Sequence, residues 1–205
     1  MSAQRQYRTD AHTYEEIRAA VEELLGKMTL KEKLGHMTQH PGLDVSAIAP
    51  LLQLVKEGAV GSQIAVIPLD KIPSAIREIQ KTAVEETRLC VPMLFCQDVI
   101  HGYQTVFPIP LAWSCSFNPE LIKKAQQVAA KEASPVGIGL GFSPMADIAH
   151  YSRWGRISEG AGEDPYFGCI IAKAHVPYPN QTTLRHVLNI ILDVITILAN
   201  SMKQH

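Results

Sequence analysis

Val91-Pro92-Met93-Leu94-Phe95 is a short apolar run that reads as a buried strand. It runs straight into Cys96-Gln97-Asp98-Val99-Ile100-His101-Gly102-Tyr103-Gln104-Thr105-Val106-Phe107-Pro108. A strand that closes on an acid, then His-Gly and a Pro-punctuated loop, places a carboxylate at the strand's carboxyl end. In parallel α/β folds that edge is where ligands bind. A solvated acid costs little there, and one that grips a ligand gives the loop a purpose.

On both sides of this stretch, helical and strand patterns alternate. Thr13-Tyr14-Glu15-Glu16 is a capping-box pattern that opens an amphipathic helix to about Lys27, and Thr29-Leu30-Lys31-Glu32 repeats it before a shorter helix ending near Met37. Pro50 to Glu57 reads as a short helix stopped by Gly58, and Ser62 to Ile67 as one strand. A long helix is expected from Ile72 to about Glu86, with Ile72, Ile76, Ile79 and Val84 on one face. Downstream, Asn118 is a good N-cap and Pro119 a good first helical residue for a helix to about Ser134. Ile138 to Phe142 is a Gly-rich strand leading to Ser143-Pro144-Met145-Ala146-Asp147; a polar loop follows from His150 to Asp164, and a helix opens at Pro165. This alternation predicts βα units and a parallel sheet. No internal repeat or low-complexity linker interrupts it.

The 205 residues suffice for one sizeable domain or two small ones, and 46% hydrophobic with 19% charged residues fits a globular chain rather than a disordered one. A net charge of −1 offers no field for nucleic acid or an anionic membrane, so neither is expected as a partner. Cys90, Cys96, Cys115 and Cys169 lack paired metal spacing and are too few for a disulfide scaffold, which reads as reduced core thiols in a cytoplasmic protein. The start, Met1 to Glu16, has no apolar signal core. Val187 to Leu198 is apolar, but it contains Asn189 and Asp193 and falls short of the roughly 20 residues of a membrane span.

Two constellations carry chemistry. Asp98 with His101-Gly102 is the first. Read plainly, Asp98 caps a turn and His101 packs on Tyr103; read functionally, an ionised carboxylate accepts hydrogen bonds from substrate hydroxyls, about 1.5–3 kcal/mol each. The second is Trp154-Gly155-Arg156-Ile157-Ser158-Glu159-Gly160-Ala161-Gly162-Glu163-Asp164-Pro165, whose glycines permit tight turns and whose Arg156 offers a rigid fork of donors. Its plain reading is a surface loop with an Arg156–Glu159 pair of little worth. Read functionally, Glu159 and Glu163 are paired acid/base carboxylates; read plainly, they precede a helix start, where acids serve as caps. His36, His40 and His150 lack metal-ligand spacing, and there is no nucleophile elbow, phosphate loop or dinucleotide fingerprint.

Taken together, these blocks resemble glycoside hydrolase family 3, the β-glucosidase-like retaining glycosidases. The match runs from about Tyr14 to Val176. It comprises Leu25 to Gly35, the block from Gln97-Asp98 through His101-Gly102 to Phe107-Pro108, Phe142-Ser143-Pro144 with Asp147, and Trp154 to Pro165, in the family's order. The resemblance implies an α/β fold, the first part of a (β/α)8 TIM-type barrel. It implies hydrolysis of O-glycosyl bonds at terminal non-reducing β-D-glucosyl residues of a glycoside or oligosaccharide, with no cofactor or metal. It also implies that Asp98 and Arg156 bind sugar hydroxyls next to the scissile bond.

Past Val176 the family's motifs cannot be matched: neither its sugar-binding Lys-His pair nor its nucleophile and acid/base is found, so no catalytic residue is assigned. The tail 177–205 is read as out of frame. One permitted set of codons for Asn180 to Asp193, read from the third nucleotide, spells PNHVAACLKHYIG, which is similar to the family's next signature. A non-catalytic carbohydrate-binding fragment and an inert remnant of a broken gene are the other readings. A barrel takes about 250 residues, so poor stability of the chain on its own is expected.

Overall fold

A computed structural model describes residues 13–64, 66, 67, 69–176 and 185–189. Two helices open it, α1 (Tyr14–Lys27) and α2 (Leu30–His36), each with the complete capping box that its Thr-x-x-Glu sequence specifies. The Glu32 carboxylate does more than cap. It accepts from the Thr29 amide at 2.8 Å and takes the Arg88 guanidinium at 3.1 and 2.5 Å, which ties α2 to the segment between the helix Ile72–Glu85 and the strand Leu94–Gln97. Arg88, and after it the Thr29 amide, hold the Glu32 carboxyl down at about 2.

Five strands form one sheet: β1 (Gln39–His40), β3 (Ser62–Ile64), β5 (Leu94–Gln97), β6 (Leu140–Met145) and β7 (Arg185–Asn189), hydrogen-bonded in that order and all parallel. The short strands β2 (Leu43–Asp44) and β4 (Val66–Ile67) pair separately. Four connections carry the crossover helices α3 (Ile48–Lys56), α4 (Ile72–Glu85), α6 (Pro119–Ala133) and α7 (Pro165–His175), and α5 (Pro110–Ser114) is a short helix between β5 and α6. A doubly wound sheet reverses its strand order at a switch point; this one never does, and unreversed order is the winding of a (β/α) barrel. The fold is therefore an incomplete TIM-type barrel.

Successive strand residues face opposite sides. Phe95 is 2% exposed, in a core with Leu51, Val55, Ile72, Ile76 and Ile79 from α3 and α4, whereas its neighbour Leu94 is 41% exposed. The helix-facing side of the sheet is thus packed. On the other side, which a closed barrel fills with layers of side chains, Leu94 stays open to solvent.

Several expectations need correction. Ser62 to Ile67 is not one strand: β3 and β4 belong to different sheets, with Ala65 outside the described residues. Val84 is 38% exposed; the buried stripe of α4 runs instead through Ala75 and Ala83, small residues that let the helix sit close. Strand β5 begins at Leu94 rather than Val91, since Pro92 has no amide for the ladder, and it takes in Cys96 and Gln97. Strand β6 continues through Ser143-Pro144-Met145, with a register shift between Phe142 and Met145. Of the cysteines only Cys96 is buried; Cys90, Cys115 and Cys169 are exposed. Within the apolar stretch Val187 to Leu198, residues up to Asn189 are in β7 and the rest lie outside the described residues. No described helix is long and apolar enough to cross a membrane.

Candidate functional site

Asp98 is the first residue beyond β5, at the sheet's carboxyl edge as its sequence position requires. Val99 is fully buried and packs in a cluster with Ala130, Ala133 and Ile138, which fixes the chain just past the acid. The Ile100 carbonyl accepts from Gln126 Nε2 at 3.1 Å. His101 and Phe107 then close the loop: the Phe107 amide donates to the His101 carbonyl at 2.8 Å, and His101 Nδ1 lies 3.1 Å from the Phe107 carbonyl oxygen. His101 is thereby committed to Phe107, a partner that sequence reasoning missed. Gly102 and Val106 form an antiparallel bridge inside this closure. Gly102 has φ +117°, and a Cβ there would stand 1.9 Å from the Thr105 carbonyl oxygen, so only glycine fits.

Arg156 arrives on the loop after β6. A 3-10 turn, Ile157–Glu159, brings the Glu159 carboxylate back onto the guanidinium, with Nε to Oε1 at 2.9 Å and Nη2 to Oε2 at 2.5 Å. Both partners are partly buried. Glu159 is thus the arginine's forked partner and not a helix cap. The cap of α7 is Asp164, which accepts from the Phe167 amide at 2.5 Å. The Ala149 amide bonds the Gly162 carbonyl at 3.1 Å and draws the ends of this loop together.

The two loops wall a cleft of about 430 Å³ lined by Asp98, Ile100, His101, Gly102, Ile109, Pro110, Arg156, Ser158 and Glu159. Asp98 and Arg156, distant in sequence, meet there. Glu163, His36, His40 and His150 are not among its lining residues. Ile109 and Pro110 were not expected; Pro110 opens α5, and the Pro108-Ile109-Pro110 spacing was its sequence signal. A smaller cavity of about 60 Å³, beside Glu32 and Arg88, is lined by Val60 and Val91, which precede β3 and β5; it therefore lies at the opposite rim.

Asp98 keeps an exposed face at the cleft, yet the surrounding wall strips part of its water and raises its carboxyl above its ordinary value. Glu159 raises it further and Arg156 opposes. Arg156 holds Glu159 below its ordinary value, and Glu159 in turn, with the charges of Asp147 and Asp98, raises Arg156. One permanent cation therefore sits among three acids. Such a set offers forked donors and a carboxylate acceptor to a ligand rich in hydroxyl groups. Among the described residues, no three His, Cys, Asp or Glu side chains are grouped to hold a metal ion.

The glycosyl hydrolase family 3 N-terminal domain matches residues 29–190. The chain belongs to glycosyl hydrolase family 3. It is 35% identical over 158 residues to the periplasmic beta-glucosidase of Salmonella typhimurium, an alignment covering 77% of this chain and 20% of that protein. A putative beta-xylosidase of Formosa agariphila is 32% identical over 184 residues, 80% of this chain and 24% of its own length. Among solved structures, the beta-glucosidase of Listeria innocua superposes with a TM-score of 0.66 at 36% identity, over 78% of this chain and 23% of that one. It has also been crystallised with glucose. This chain thus spans about a fifth to a quarter of the length of these family 3 relatives. The matched span begins at the N-cap of α2 and reaches past Val176 through β7.

Proposed function

We propose that this chain forms the sugar-holding part of a β-glucosidase-type glycoside hydrolase acting on terminal non-reducing β-D-glucosyl residues with retention of configuration. One observation carries this reading: two separate strand-end loops deliver Asp98 and Arg156 to a single cleft at the carboxyl edge of a barrel-type sheet. Asp98 accepts from sugar hydroxyls in its ionised form, and Arg156 donates to them while Glu159 keeps its fork aligned. The sugar-bound structures of the Listeria innocua enzyme, a 36% identical relative, support a glycoside as the ligand class.

Retaining hydrolysis requires two carboxyl groups about 5–5.5 Å apart, one nucleophile and one acid/base. Arg156 holds the Glu159 carboxyl below its ordinary value, which does not suit proton donation, and engages both of its oxygens, which leaves it badly placed for attack. Asp98 is assigned to hydroxyl binding. This chain is accordingly expected to bind glucose or gluconolactone without turning over a nitrophenyl β-glucoside. Calorimetry on wild type and Asp98→Ala tests the first point and a chromogenic assay the second. No binding by the wild-type chain sinks the sugar-site reading; turnover that Asp98→Ala abolishes sinks the assignment of Asp98 to binding alone.

A further inference from the structure

We propose that Glu132, on the outer helix α6 and outside the cleft lining, is a positioning residue that fastens the Asp98–Pro108 loop and so holds the wall of the sugar site that this loop forms. This rests on the sugar-binding reading above and adds the residue that sets the site's geometry.

The inner face of α6 is a bed of small side chains. Ala129, Ala130 and Ala133 are fully buried, and Val99 packs onto Ala130 and Ala133. A surface made of single methyl groups lets the loop lie close along the helix. Polar fasteners secure it at two points: Gln126 holds the Ile100 carbonyl at 3.1 Å, and Glu132 holds the loop tip. The Glu132 carboxylate accepts from the Gln104 amide at 2.8 Å, the Thr105 amide at 2.9 Å and Thr105 Oγ1 at 2.7 Å. One charged acceptor thus satisfies three donors of a segment outside any strand. Hydrogen bonds to an ionised acceptor are the stronger kind.

The position of the acid is itself informative. Glu132 lies in the last turn of α6, which ends at Ala133, and a negative charge there opposes the helix dipole. The helix gains nothing from an acid at that place; the loop does. From the tip, the constraint passes down both arms through the Gly102–Val106 bridge and the His101–Phe107 closure. One arm ends at Ile100 and Asp98, the other at Ile109 and Pro110, and all four line the cleft.

The test compares wild type, Glu132→Ala, Glu132→Gln and Thr105→Val by amide hydrogen exchange and by glucose titration, well below the melting temperature. Glu132→Ala is expected to speed exchange at Gln104 and Thr105 on the order of tenfold or more and to weaken glucose binding about tenfold, with α6 and β5 amides unchanged. Glu132→Gln, which keeps one acceptor oxygen, recovers part of both effects. Thr105→Val, on an exposed side chain, gives a smaller loss of the same kind and provides a variant that does not depend on Glu132. Unchanged exchange at the two amides, or unchanged glucose affinity despite faster exchange, overturns the proposal. So does acceleration spread evenly through α6 and β5, which marks a general stabiliser. If wild type binds no glucose, the sugar reading fails and the positioning role with it; exchange at Gln104 and Thr105 then reports separately on the anchor.

Discussion

The loop after β5 is tied to a helix far along the chain, whereas Arg156, in the loop after β6, has its fork held by an acid of its own turn. Gln126 and Glu132 reach Ile100, Gln104 and Thr105 across 26 to 28 residues; Arg156 and Glu159 are three apart. The Asp98 loop is therefore fastened by the tertiary fold, while the Arg156 fork is aligned by its own turn, which itself lies against α5. The difference teaches how the site divides its labour. Asp98 is a fixed acceptor whose setting can be disturbed from a distance. Arg156 is a local donor already engaged by an acid, so under the proposed sugar-site reading a hydroxyl has to share or displace Glu159.

The sharpest way to break this contrast is at the glycines. Gly102→Ala forces a Cβ onto the Thr105 carbonyl at positive φ, and a loss of about 3 kcal/mol in denaturant unfolding is expected. Gly155 also has positive φ, +89°, but a Cβ there meets nothing within 4 Å, so Gly155→Ala should cost only about 1 kcal/mol. Equal losses would mean that the two loops are held alike.

Next in size are the site residues themselves. Asp98→Ala should weaken glucose binding roughly a hundredfold, because a preset charged acceptor is removed. Arg156→Ala should weaken it about tenfold, since part of its donor capacity is already spent on Glu159. Calorimetric titration ranks the two, and the reverse order refutes the division of labour.

A subtler change follows from Glu159→Gln. It removes the acid that helps raise Asp98 and frees Arg156 to act on it, so the Asp98 carboxyl should titrate lower in a carbon-detected NMR experiment. No movement would show that burial alone sets Asp98.

The smallest effect is in pH. Under the proposed reading sugar binding favours ionised Asp98, so affinity should rise as pH climbs through its raised titration and then level off. For stability Asp98 and the acid that fastens its loop, Glu132, act oppositely. Asp98, raised in the folded chain, weakens stability as pH rises from the ordinary 3.8 through its folded value. Glu132, lowered chiefly by its bonds to Thr105, contributes stability that is full above the ordinary 4.5 and lost as pH falls through its folded value. Glu132→Gln should flatten the acid limb of a stability–pH curve without touching the Asp98 limb.

Much of this was legible in the residues. Thr13, Thr29, Asn118 and Pro119 marked their helix starts because capping is a local bond between near neighbours, and Asp98 was placed at a strand end by the apolar run before it. The split between β3 and β4 was not legible, because which sheet a two-residue strand joins depends on partners elsewhere. Glu132 was passed over for the same reason: its donors lie 27 and 28 residues away. The motif reading also stopped at Val176, while β7 extends the sheet beyond it. Strand pairing uses backbone groups and tolerates many sequences, so Arg185–Asn189 can add to β6 without supplying the Lys-His pair expected of the family. Reading the codons of Asn180 to Asp193 one frame over settles whether that pair was once encoded.

The unreversed strand order also has a consequence in time. Each strand of the main sheet pairs with the one synthesised before it, so the sheet can lengthen as the chain leaves the ribosome, with no strand waiting for a later one to slot in. The cleft cannot keep that pace. Asp98 emerges with β5, but the helix that fastens its loop is complete only at Ala133, and Arg156 follows later still. The binding edge is therefore finished from behind, each wall set by residues made after it.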